Sequence, residues 1–474
     1  MAFFVAMAPD DPISLEHRLE GQVAVHAEQA DSRPVESSTT TKLSVMVGSG
    51  IIQLPIWGRY CFLSLSEMDS SLTSLRPTYL GFAVTYGVFQ EYYYDNWTLD
   101  GDRSTTGAIG ATANGVMYIS MPFLFALFTR RWARWRQCAA LCGMGIACVS
   151  FLLSSYSTNV AHLVVTQGVT SAFGCALMFS PATLSLGEWF TTSHRALAYG
   201  ITLSCKNVVG TSCPFLMRAL INTYGFRTTL RIWTGIVSGT SILSILMIPT
   251  HQSKTSLHTA RARRIPWDFL RHRSVYFYGS AILLQSSGYG IPQTYLSIYA
   301  RDIARLSQTS GTLMLAVFNA SGIVASTFFG WLSDNRIIPL SAQAVCAIPP
   351  VSSALSAFFF WGLAAKGSLA LLILFSVTFG FFSSGYSATW GGMLKHLERE
   401  SAERNEALDS GMLYGLLNGV RGIGYASGGF ASLALLDAGS MPWGARFGYG
   451  TSYGPLIVFT GLSSILAGWV ILWK

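Results

Sequence analysis

Residues 306–365 read LSQTSGTLMLAVFNASGIVASTFFGWLS, then DNR, then IIPLSAQAVCAIPPVSSALSAFFFWGLAA. Two uncharged runs, Leu306–Ser333 and Ile337–Ala365, flank one charged triplet, Asp334-Asn335-Arg336. A bilayer core takes about 20 apolar residues in helix, because in lipid every backbone N–H and C=O has to be paired within its own segment. Each run therefore reads as a membrane span, and the triplet as the tight loop that turns the chain back.

The same pattern repeats in both directions. Uncharged runs cover Ser104–Thr129, Gln137–Gly187, Ile232–Thr250, Ser274–Ala300, Gly367–Leu394 and Phe447–Trp473. The long second run splits at the polar turn SSYSTN, residues 154–159. Two further runs, Ala196–Met217 and Ser410–Leu436, are apolar apart from one cation each, Lys206 and Arg421. Eleven spans result. A twelfth, the first in the chain, is short: only Pro77–Gln90 is uncharged before Glu91, and the nearby fragments IIQLPIW (51–57) and CFLSL (61–65) are interrupted by Pro55, Gly58 and Arg59. An exon boundary misplaced from about residue 41 would leave this gap.

Composition agrees with a membrane solvent. Of 474 residues, 51% are hydrophobic and only 11% charged, too few charges to coat a soluble globule of this size. The net charge of +8 does not point to nucleic acid, since the basic residues sit in short intervals between apolar runs. They mark topology instead. With the N-terminus inside, the inner loops hold fifteen Lys/Arg and the outer loops eight, which puts both termini in the cytosol of a multi-pass protein, read here as plasma-membrane. The sequon at Asn96 falls on the outer side and is the glycosylation candidate. The cysteines lie mostly inside apolar segments, without a CxxC pair or neighbouring histidines, and read as packing thiols; no metal or other cofactor is implied.

The most basic linker, 251–273, follows the sixth span and divides the chain into halves, 76–250 and 274–474. Residues 1–75 read as a largely disordered cytosolic tail, polar over the first 40, and MAFFVAMAP lacks the basic start of a signal peptide. The fold class is all-α integral membrane, about 12 helices in two six-helix bundles.

Local motifs then carry a family resemblance. Gly330-Trp331-Leu332-Ser333-Asp334-Asn335-Arg336 resembles the inner-loop motif of the major facilitator superfamily. There the glycine permits close helix approach and the carboxylate locks an inner gate, which implies gating roles for Gly330, Asp334 and Arg336. The loop Phe128–Trp135 keeps the basic cluster but has no aspartate. Tyr86-Gly87-Val88-Phe89-Gln90-Glu91, Ile291-Pro292-Gln293-Thr294-Tyr295, Tyr386-Ser387-Ala388-Thr389-Trp390-Gly391 and Arg421-Gly422-Ile423-Gly424 resemble the fungal monocarboxylate-porter-like branch, over about residues 80–474. The resemblance implies two parallel halves with substrate held between them, alternating access, and a small organic solute, a monocarboxylate or secondary metabolite, in symport with a proton. Against proton coupling stand departures. The first span has no lysine, the eighth reads Phe318–Ser326 without the branch's Gly-Arg, and no Asp or Glu lies mid-membrane. Glu188, at an inner helix end, is the nearest carboxylate, and such residues are more often structural.

Candidate substrate contacts follow from polarity inside spans. Lys206 and Arg421 either line the cavity and attract an anion or are satisfied locally, by snorkelling in one case and by tying helix ends in the other. Tyr289 and Gln293, in a span interrupted by Gly288, Gly290 and Pro292, offer a phenol and an amide to orient a ligand; Asn319 and Trp390 are similar. Without a Walker-type loop, direct ATP use is not expected. A transporter-fold nutrient sensor or uncoupled facilitator is the alternative, and a membrane-embedded transferase lacks the acid pairs or histidines it would need.

Overall fold

The computed structural model describes residues 39–57, 107–129, 132–190, 194–249, 268–335, 340–404, 408–440 and 446–472, with 338 and 406 between them. Among them only helices and connecting turns occur. Arg336, Asn96 and the short run Pro77–Gln90 lie outside the described residues.

The chain begins with α1 (Thr39–Ile51) and α2 (Gln53–Trp57), then continues with α3 (Gly107–Thr129) and α4 (Arg136–Ser155). Next come α5 (Val160–Trp189) and α6 (Arg195–Met247). Then follow α7 (Arg273–Asp302), α8 (Gln308–Asp334), α9 (Ala342–Trp361), α10 (Leu369–Glu403), α11 (Ser410–Asp437) and α12 (Gly454–Leu472). Helix α6 is two arms joined at Gly225, whose φ of 72° and ψ of 168° only glycine adopts without strain. The turn at 154–159 ends as expected: Asn159 caps α5, its side chain accepting from the Ala161 N–H at 2.8 Å. Ser307, Ser341 and Asp409 cap α8, α9 and α11 in the same way.

Eight of these helices are long and apolar enough to cross a membrane. Three more segments have the length but too much polarity along one side: the first arm of α6, α7 and α11. The eleven together match the eleven spans read from the sequence. Helices α4, α9 and α12 and the second arm of α6 turn large apolar side chains outward. Leu246 and Leu472 are 77% and 81% exposed, as is the Phe430 ring of α11 at 77%. Such a belt is stable only against lipid.

Helices α1 and α2 correct the expectation of a disordered tail over 39–57. From Leu43 to Trp57 there is no charge, and small residues allow close approach. Ser244 Oγ donates to Gly48 O at 2.7 Å, Ser44 Oγ donates to Met247 O at 2.6 Å, and Ile52 and Ile56 are buried. Pro55 does not break the segment, because its missing N–H falls in the first turn of α2, where no intrahelical partner exists.

The two halves meet along two seams. Helix α8 runs along the first arm of α6, and α11 along α3. On the first seam Ser204 Oγ bonds Ile323 O at 2.6 Å and lies 2.8 Å from Thr327 Oγ1, while Asn207 Nδ2 donates to Ser326 Oγ at 3.0 Å. In lipid, polar side chains and small residues of this kind hold helices together where apolar burial cannot.

Candidate substrate site and gate

The candidate gate lies at the end of the bundle that carries Arg136, Arg195 and Asp334. A Cβ at Gly330 would stand 2.7 Å from Ala196 O and 3.1 Å from the Gly200 Cα, so α8 and α6 touch backbone to backbone. This contact brings Asp334 over the start of α6, where its Oδ2 accepts from the Leu197 N–H at 2.8 Å. Helix starts carry unpaired N–H groups and a partial positive charge, so the carboxylate of one half caps a helix of the other. Beside it, Arg195 Nη2 donates to Glu398 Oε1 at 2.8 Å across the same junction. Both contacts join the start of α6 to the other half at this end.

The loop without an aspartate has a different solution. Arg136 Nη1 and Nη2 grip Glu188 at 2.6 and 2.7 Å, while its Nε donates to Phe128 O at 2.9 Å. One buried guanidinium thus ties the ends of α3, α4 and α5 within a single half. Glu188 is paired with Arg136 there.

Midway along the bundle stands Arg421, on α11 and 8% exposed. Its Nη1 donates to Ser387 Oγ at 2.7 Å and its Nη2 to the Tyr425 hydroxyl at 3.0 Å. Four rings surround it: Tyr425, Trp390, Tyr118 and Tyr289, with Cζ to centroid distances of 5.4, 5.6, 5.7 and 6.0 Å. Tyr118 comes from the other half and stacks on Tyr425 at 5.6 Å. No acidic side chain among the described residues contacts Arg421. The local sequence explains its position. Gly419 and Gly422 leave room for Pro122 and Tyr118 of α3, and Tyr386–Thr389 forms a 3-10 turn that swings Ser387 and Trp390 toward α11. A 3-10 turn inside a long helix is a common site of function.

Lys206 lies on α6 in the opposite half, with Nζ 4.2 Å from the centre of the Trp57 ring. Trp57 in turn touches Tyr118 at 6.1 Å and receives a steadying contact from Gln53, whose Oε1 accepts from the indole N–H at 2.8 Å. Lys206 and Arg421 are within electrostatic reach of each other, so both cations border one aromatic layer.

Of the sequence-derived candidates, Arg421, Trp390 and Tyr289 come together in this layer, with Lys206 at its far edge. Gln293, 7% exposed, lies one turn along α7 beside Tyr289. Asn319 does not join them. Its Nδ2 donates to Leu315 O at 3.0 Å and its Oδ1 faces Gly210, which makes it part of the α6–α8 seam. Sequence reasoning missed Trp57, Tyr118, Tyr414 and Tyr425. Tyr414 stacks on Tyr199 at 4.9 Å just below the Arg421 layer, beside a small cavity lined by Ser49, Gln53 and Thr202.

Comparison with known proteins places this architecture. The chain is 26% identical to an MFS-type transporter of Gibberella moniliformis over 392 residues, 82% of this chain and 89% of that protein. It is 26% identical to Monocarboxylate transporter 12 of Xenopus laevis over 276 residues and of Homo sapiens over 281, in each case 53% of this chain. It spans just over half the length of those animal relatives, 59% and 54%. Residues 77–390, about two thirds of the chain, match the family model of the Major Facilitator Superfamily. Helices, paired seams and family match agree, and the chain belongs to the major facilitator superfamily.

Proposed function

We propose that this protein is a secondary transporter for a small organic anion, working by alternating access between the halves 76–250 and 274–474, and not an enzyme. The observation that carries the reading is Arg421, a buried mid-membrane cation held, among the described residues, by two hydroxyl groups and four aromatic faces. An ionisable group at such a depth is costly unless it meets a counter-charge, and the guanidinium fork matches a carboxylate. A substrate carboxylate supplies the counter-charge, and Lys206 is the second fixed cation on its route. Helices α7 and α10 contribute Tyr289, Gln293 and Trp390 as orienting contacts. Gly330, Asp334 and Arg336 serve the gate at the basic end, which the reading places in the cytosol together with both termini, in the plasma membrane. The relatives named as monocarboxylate transporters favour the same substrate charge.

The test is uptake of labelled organic acids by the purified full chain in proteoliposomes, with and without a pH gradient. Arg421→Gln lowers uptake by at least about tenfold, and Arg421→Lys, which keeps the charge and loses the fork, recovers little of it. Uptake that is equal in wild type and both variants refutes the assignment. Stimulation by an inwardly directed proton gradient adds a coupled proton to the mechanism.

A further inference from the structure

Around Arg421 the protein leaves polar atoms unpaired. Among the described residues, Trp390, 1% exposed, has no acceptor for its indole N–H, and Tyr386, 3% exposed, has no partner for its hydroxyl. Both flank Ser387 on the 3-10 turn of α10, and Ser387 is the residue that receives Arg421. The Trp390 ring is 5.6 Å from the guanidinium carbon, and Tyr386 lies within electrostatic reach of the same charge. On α7, Gln285 is 2% exposed with neither amide atom bonded, one turn before Tyr289 and on the same face. A buried polar atom with no partner costs roughly 1–3 kcal/mol, so such atoms collected at one place call for a ligand that meets them.

From this set we infer that the substrate is an aromatic carboxylic acid bearing further oxygen substituents on its ring; this rests on the organic-anion reading of the site. Its carboxylate meets Arg421. Its ring lies against the faces of Tyr118, Tyr425 and Tyr289, which favour offset or edge contacts with another π-system. Its ring oxygens accept from the Trp390 N–H and the Tyr386 O–H, the unpaired donors. A short aliphatic acid would satisfy Arg421 but would leave those donors bare.

The experiment compares 3,4-dihydroxybenzoate, benzoate and lactate as substrates of the full chain in proteoliposomes, counted against protein-free vesicles. The inference expects dihydroxybenzoate to show the lowest KM and lactate the highest. Trp390→Phe and Tyr386→Phe each keep a ring and delete one donor. Each should raise the KM for dihydroxybenzoate about five- to tenfold, the size of one hydrogen bond, and raise that for benzoate clearly less. Because its hydroxyl is unpaired in the protein alone, Tyr386→Phe should not lower the thermal midpoint of the ligand-free transporter, whereas Trp390→Phe also removes buried ring volume and lowers it. Lactate preferred over both aromatic acids, or variants that affect benzoate and dihydroxybenzoate alike, overturns the inference, since water then satisfies the donors. If lactate uptake depends on Arg421 while aromatic acids are excluded, only the aromatic assignment fails. If no acid is taken up by folded protein, both fail.

Discussion

Replacing Asp334 by Asn keeps the size of the side chain and an acceptor oxygen for the Leu197 N–H, and removes the charge. The bond it changes spans the two halves at 2.8 Å. A hydrogen bond to a charged group contributes about 1.5–3 kcal/mol against about 0.5–1.5 kcal/mol for a neutral pair. The favourable placement of an anion at a helix start adds about 0.3–1 kcal/mol. Asp334 is half-buried, so the lower parts of those ranges apply, and the loss is about 1–1.5 kcal/mol. Because the contact exists only while the basic end is closed, the loss falls on the closed state and shifts the balance toward opening by about five- to tenfold.

Spin labels replacing Trp132 and Arg404 measure this directly. Both positions are exposed at the basic end, one in each half. Their distance distribution gains a longer component in Asp334→Asn, and the gain persists without substrate. Glu398→Gln should move it the same way by freeing Arg195, which is 6% exposed. The double variant falls short of additivity, because both contacts hold the first turn of α6. An unchanged distribution in Asp334→Asn, alongside a shifted one in Glu398→Gln, would mean that Asp334 caps α6 without contributing to closure.

Three other outcomes follow from the packing. Glu188→Gln strands the buried Arg136 and should destabilise the protein by about 3 kcal/mol, the low end for a broken buried pair since Glu188 is partly exposed; the thermal midpoint in detergent falls while the spin-label distances stay put. Gly330→Val drives α8 away from Ala196 O and Gly200, and shifts those distances toward opening as Asp334→Asn does; normal distances would refute the backbone contact as the closing surface. Trp57→Leu removes the ring beneath Lys206, a contact worth about 1–2 kcal/mol where desolvated. It should raise the KM for an anion about as much as Lys206→Met, with the double variant no worse than either, and independent effects would separate the two residues.

The fold was legible because its driving force is written locally. Each span announces itself by twenty or so residues without charge, and lipid allows nothing but a helix there. Polarity inside a run was legible too: the three segments that fall short of a plain apolar span, the first arm of α6, α7 and α11, carry Lys206, Tyr289, Gln293 and Arg421. The segment 39–57 was not legible for a positional reason. Pro55 and Gly58 look like breaks in a linear reading, yet a proline in a first turn costs nothing, and Gly48 is the residue that lets α1 meet the end of α6.

The site was legible only as far as its charges. In a chain where 13% of residues are aromatic, Tyr118 or Tyr425 looks the same as a tyrosine packed for bulk. What separates them is the cation they enclose, and that depends on α3 and α11, far apart in sequence, meeting along one seam. Asn319 shows the converse. Its polarity inside a span drew attention, but its amide turns back on its own helix and its neighbour is Gly210, so it serves contact between helices. A polar residue in a membrane span therefore announces only that something must satisfy it, and the surroundings decide what. Leu315 O satisfies Asn319 and Ser326 satisfies Asn207, so both are closed accounts within the protein. Among the described residues Arg421 has neutral partners alone, with unpaired donors beside it on α10, and that imbalance is what the proposed binding role rests on.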